Sequence, residues 1–77
     1  MKEHDLIELT APYEYISSPI EEDRDTFDTL VAGARGTVVY VAPDEGGCYV
    51  EFPQILEKYP DADPVTWVTF DEMKKAD

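Results

Sequence analysis

Between Arg35 and Phe52 the chain carries two runs of β-branched and aromatic residues, Arg35-Gly36-Thr37-Val38-Val39-Tyr40-Val41-Ala42 and Cys48-Tyr49-Val50-Glu51-Phe52, around Pro43-Asp44-Glu45-Gly46-Gly47. Strand formers on both sides of a segment rich in turn formers predict a β-hairpin. The second run alternates cleanly, with Cys48, Val50 and Phe52 on one face and Tyr49 and Glu51 on the other. That pattern places Cys48 in the core. The first run is apolar on both faces, Thr37, Val39 and Val41 on one and Val38, Tyr40 and Ala42 on the other. An element covered on both sides belongs in the middle of a small barrel or sandwich.

A chain of 77 residues allows one domain, residues 1–77, with one thin core, because a domain of this size hides only roughly 60 to 65% of its unfolded surface. Asp5-Leu6-Ile7-Glu8-Leu9-Thr10 reads as a first strand with Ile7 and Leu9 on one side and Leu6 and Glu8 on the other. Pro12 restricts the next segment, Tyr13–Ile16, to an edge strand or extended arm, with Tyr13 and Tyr15 on a common face. From Ile20 to Leu30 the apolar positions are too sparse for an amphipathic helix, so an acidic loop is expected, pinned by Phe27 and Leu30. Gly33 and Gly36 have neither a strand before them nor a helix after them, so they read as a turn and a bend rather than a nucleotide-binding loop. Gln54–Tyr59, enclosed by Pro53 and Pro60, suits one helical turn with Ile55 and Tyr59 on one face. Val65–Phe70 reads as a last strand with Val68 and Phe70 inward and Trp67 outward. Asp71–Lys75 suits a closing helical turn, acid first and base last, with Met73 plugging the end. The expected fold is all-β with one or two short helical turns, a small, strongly bent antiparallel barrel of the SH3-like kind with four or five strands.

Charge limits the choice of partner. Eighteen acidic residues against six basic ones give a formal net charge of −12 and a sequence pI of about 4.1. Such a field repels phosphate backbones and anionic lipid and attracts basic protein surfaces. Direct nucleic-acid binding is therefore not expected. No run of about 18 apolar residues occurs, so no membrane-spanning helix is predicted. The single cysteine, Cys48, cannot form an internal disulfide, and Met1-Lys2-Glu3-His4-Asp5 has no apolar stretch of the leader type, which together predict a reducing, cytoplasmic setting. The same acidity suits plain solubility or a salty cytoplasm.

The stretches Asp5–Thr10, Gly33-Ala34-Arg35-Gly36-Thr37-Val38-Val39-Tyr40-Val41, Tyr49–Phe52 and Val68–Met73 resemble a small bacterial SH3-like barrel family of unknown function, whose mark is a Gly-x-x-Gly-Thr-Val-Val hairpin. The Gly-Thr-Val element is also similar to that of the nitrile hydratase β-subunit, of the photosystem I accessory subunit with an SH3-like fold, and of KOW-type modules. These motifs cover roughly half the chain and specify a fold rather than an activity. The resemblance implies no catalytic residues. It does imply that an accessory or structural subunit of a larger enzyme complex is one role for such a chain.

The residues read on their own point away from catalysis. The one histidine, His4, lies near the terminus, Cys48 faces the core without an identifiable base, and abundant carboxylates single out no acid–base pair. A non-catalytic role without cofactor is expected. Glu21, Glu22, Asp23, Asp25 and Asp28 raise calcium as an alternative, but Phe27 stands where a third ligand is needed and no glycine or closing glutamate comes at the required offset. Among the rings of Tyr13, Tyr15, Tyr40, Tyr49 and Trp67, some exceed what a core of this size buries, and Trp67 is the best candidate for exposure. The leading expectation is an acidic interaction protein of the immunity, antitoxin or inhibitor type. It would engage a basic protein or enzyme subunit through Glu21, Glu22, Asp23, Asp25, Asp28, Tyr49 and Trp67.

Overall fold

The structure, a computed structural model, describes residues 1–22 and 25–76. Among them the chain forms β1 (Leu6–Leu9), β2 (Tyr13–Ile16), β3 (Phe27–Leu30), β4 (Arg35–Ala42), β5 (Gly47–Glu51), a short helix α1 (Pro53–Lys58), β6 (Val65–Thr69) and β7 (Met73–Lys75). Single 3-10 turns, Pro43–Glu45 and Phe70–Glu72, separate β4 from β5 and β6 from β7. The all-β class is the one the sequence predicts. Seven strands replace the expected four or five, because β3 and β7 are strands and not loop and helical turn. They lie in two antiparallel sheets, a five-stranded one ordered β6-β5-β4-β1-β7 and a two-stranded one of β2 and β3. The two do not join into a closed barrel.

The alternation of β1 buries Ile7 and Leu9 and leaves Leu6 exposed and Glu8 half-exposed. Its register against β4 sets Glu8 opposite Arg35, and against β7 sets Glu8 opposite Lys74. Glu8 accordingly bridges Arg35 and Lys74, each at 3.4 Å. This pairing explains why Met73-Lys74-Lys75 is extended: cross-strand partners on β1 outweigh the local preference of an acid-to-base run for a helical turn. Met73 itself is buried, as expected.

In β5, Cys48, Val50 and Phe52 beyond its end are fully buried, while Tyr49 and Glu51 face solvent. Its partner β4 departs from simple alternation. Val38 pairs with Val50 and Tyr40 with Tyr49, so Val39 is an extra residue in the ladder, a β-bulge. Val38 therefore points inward, and Tyr40, two residues on, points outward. β4 is central in its sheet, yet its outer face is bare around Val39 and Tyr40, contrary to the expectation of cover on both sides.

The core gathers Ile7 and Leu9 from β1, Tyr15 from β2, Leu30 from β3, Val38, Val50, Phe52, Ile55 from α1, Val68 and Met73. It lies between the inner face of the large sheet, the small sheet and α1. Leu30 anchors β3 there, but Phe27 is exposed and pins nothing. The small sheet is tied to the large one by the Tyr13 hydroxyl, which donates to the backbone carbonyl of Trp67.

Candidate functional site

Three outward rings lie in a row across β4, β5 and β6. Tyr40 is opposite Tyr49 in the β4–β5 register, and Tyr49 is opposite Trp67 in the β5–β6 register. Ring centroids are 6.4 Å apart for Tyr40 and Tyr49, and 5.1 Å for Tyr49 and Trp67, the second pair meeting edge to face at 64°. Such pairs attract through the ring quadrupole. Tyr40 is 56% exposed and Tyr49 41%, large values for rings that a core can take in. Trp67 is half-buried. Its six-membered ring lies over Gly47, where an added Cβ would meet Cζ2 at 2.8 Å. Gly47 thus works as the bare patch of strand on which the indole rests, not only as a turn residue.

Beside the ladder, a cleft of about 300 Å³ separates the large sheet from β2, with Tyr49, Val65 and Trp67 on one side, Tyr15 and Ile16 on the other, and Asp63 in its lining. The Val65 N–H donates to the Asp63 carboxylate at 2.9 Å. Leu6 and Val39, both about half-exposed, extend the apolar surface on the β1 side of Tyr40.

The acidic residues singled out by the sequence do not converge. Glu21 and Glu22 are exposed in the turn after Pro19, beside Ile20 and Asp61. Asp23 lies outside the described residues. Asp25 is exposed and accepts a hydrogen bond from the Thr26 hydroxyl. Asp28 is held elsewhere: Lys58 Nζ is 2.7 Å from its Oδ2, the Tyr59 hydroxyl donates to the same oxygen at 2.7 Å, and the Thr29 N–H donates to Oδ1 at 2.8 Å. The Lys58 and Tyr59 hydrogen bonds, then that of Thr29, hold its carboxyl well below the usual carboxylate range. The same contacts push Lys58 and Tyr59 upward. Asp28 is thus the clasp between β3 and the end of α1. Among the described residues no three of His, Cys, Asp and Glu are grouped as a metal site.

The structure therefore brings Tyr49 and Trp67 together, adds Tyr40, and separates both from the acidic loop residues. Tyr40 was legible as a surplus aromatic but not as a neighbour of Tyr49, since unbroken alternation sets it on the face of Val38. The other rings fill space: Tyr15 is buried and stacks edge to face on Tyr59 at 6.3 Å, and Tyr13 is half-buried against the core. Burial also pushes the Cys48 thiol up, and its Sγ lies 3.8 Å from Met73 Sδ, a packing contact without a base.

Arg35, Lys58, Lys74 and Lys75 are engaged by Glu8, Asp28 and Asp5. None of these four lines the aromatic cleft. Among the described residues no helix is long and apolar enough to cross a membrane. No family model matches the chain, and no curated protein or solved structure matches it either.

Proposed function

We propose that this is a non-catalytic, cytoplasmic interaction protein that binds a basic protein surface through the outward ladder Tyr40–Tyr49–Trp67, of the immunity, antitoxin or inhibitor type. The observation that carries the reading is three adjoining outward rings, Tyr40 and Tyr49 exposed and Trp67 half-buried, on a chain of net charge −12. Aromatic side chains give large contact area at low entropic cost and dominate binding energy where they anchor an interface, while surrounding charge steers the encounter. Glu51, two residues from Tyr49 on the same face of β5, supplies such charge beside the ladder.

Retention of partners from the native host tests this. At about 20 mM salt the tagged protein is expected to retain a basic protein, and to lose much of it at about 0.5 M, where charge is screened beyond a few ångströms. Tyr40→Ala and Tyr49→Ala are each expected to weaken the complex about tenfold or more. Recovery of no basic protein at low salt overturns the reading.

A second reading, an accessory subunit docked on a larger enzyme, draws on the exposed Leu6 and Val39 beside Tyr40. An apolar contact of that kind keeps its partner at high salt, so the same experiment separates the two.

A further inference from the structure

We infer that Glu51 anchors an arginine side chain of the partner on a shelf beside the aromatic ladder; this rests on the basic-partner reading above. The strand registers lay two rows side by side on the outer face of the large sheet. One is Tyr40–Tyr49–Trp67. The other is Leu6–Thr37–Glu51–Val65, in which Leu6 is opposite Thr37, Thr37 opposite Glu51 and Glu51 opposite Val65. The buried Ile7, Val38, Val50 and Val68 fix the inner face, so alternation turns all four residues of the second row outward. Side chains two residues apart on a strand stand about 6.6 Å from each other, which puts the Glu51 carboxylate within an arginine's reach of the Tyr49 ring. Thr37 and Val65 are small beside the rings, so the second row is a step at the foot of an aromatic wall. The step stays open because the Trp67 indole lies the other way along β6, over Gly47, which is opposite Thr69.

Glu51 is free to receive a cation. It is exposed, and among the described residues its carboxylate makes neither a hydrogen bond nor an ion pair. Arg35, one row further along β4, is turned to Glu8 at 3.4 Å, and Lys74 meets the same glutamate. Glu51 is the one charged group in the two rows, on a molecule whose net charge of −12 draws cations toward it. An arginine matches each part of this arrangement: its plane stacks on a phenol ring, its fork meets a carboxylate through two parallel hydrogen bonds, and its methylene stem covers apolar surface such as Val65. A lysine ammonium meets the same charge but lacks the plane and the fork. An anion faces Glu51 alone and is repelled. So is a second copy of the chain, which brings another −12.

Backbone amide spectra locate the contact. With a capped tetra-arginine peptide at about 20 mM salt, shifts are expected to concentrate at Thr37, Tyr49, Glu51 and Val65, with affinity about tenfold above that of the tetra-lysine twin. Glu51→Gln keeps the length of the side chain, breaks no bond within the chain and is expected to erase most of that preference. Tyr49→Leu keeps apolar bulk without a ring plane and is expected to do the same. Asp44→Asn, a charge change of equal size in the β4–β5 turn, is expected to weaken both peptides alike. Equal binding of the two peptides, equal effects of Glu51→Gln and Asp44→Asn, or shifts centred on Glu21 and Glu22 overturns the arginine anchor and leaves the basic-partner reading standing. Binding of neither peptide overturns the anchor, and if no basic protein is retained from the host either, the broader reading falls with it.

Discussion

At Gly47 a single added methyl group has nowhere to go. Its Cβ would stand 2.4 Å from the Val68 carbonyl oxygen and 2.8 Å from the Trp67 ring, and the first of these is backbone that cannot swing aside. Gly47→Ala is expected to cost about 2 kcal/mol, in the range of overpacked sites, read as a lower urea midpoint at unchanged slope with altered Trp67 emission. Asp28 offers a second residue-scale prediction. Its folded carboxyl ionises more readily than an ordinary aspartate near 3.8. Its contribution to stability is therefore present above that pH and is lost as pH falls below it. Urea midpoints are expected to separate wild type from Asp28→Asn at neutral pH and to converge toward about pH 2. A gap that stays constant through acid would show that the clasp to Lys58 and Tyr59 does not depend on the charge. Neither contact is readable from the sequence, because Gly47 and Trp67, and Asp28 and Lys58, lie 20 and 30 positions apart.

Among the elements, those with long, regular patterns were legible and those whose state depends on a distant partner were not. The faces of β1 and β5 follow from alternation, and the short helix α1, with Ile55 buried beneath it, follows from the prolines around it and the four-residue spacing of Ile55 and Tyr59. β4 follows alternation only as far as Val38, since a bulge adds a residue without leaving a mark in composition. Phe27-Asp28-Thr29-Leu30 has too few strand formers to declare itself and becomes β3 because β2 lies alongside, with Tyr15 opposite Asp28. The join between the sheets yields a prediction at this scale. Tyr13→Phe removes the hydroxyl bridge to the Trp67 carbonyl and is expected to cost about 1 kcal/mol. Amide exchange in β2 and β3 is expected to accelerate more than in β4 and β5, since the small sheet loses a tie that the large one does not need. Uniform acceleration in both sheets would show that they open as one unit.

For the whole molecule the dominant fact is unbalanced charge. The cations Arg35, Lys58, Lys74 and Lys75 are drawn to β1 and β3, which leaves the remaining carboxylates to repel one another. Self-repulsion of this kind weakens with screening. The thermal midpoint of the isolated protein is expected to rise as salt increases from about 0.01 to 0.5 M, while its complex with a basic partner weakens over the same range. Opposite signs in these two measurements separate folding electrostatics from binding electrostatics. A midpoint that falls with salt would mean that attractive pairs such as these outweigh the repulsion.

Local pattern along the chain was enough for the β class, the hairpin at its centre, the buried face carrying Cys48, Val50 and Phe52, and the sign of the field around the molecule. All of these are set by local periodicity or by simple sums over residues. Folding in three dimensions was needed to settle which aromatics meet, that Asp28 is spent on Lys58 and Tyr59, and that the sheets leave a cleft beside Trp67 instead of closing. Those outcomes turn on one bulged residue and on strand pairings between distant positions, and a pairing register shifted by a single residue exchanges the buried face for the exposed one.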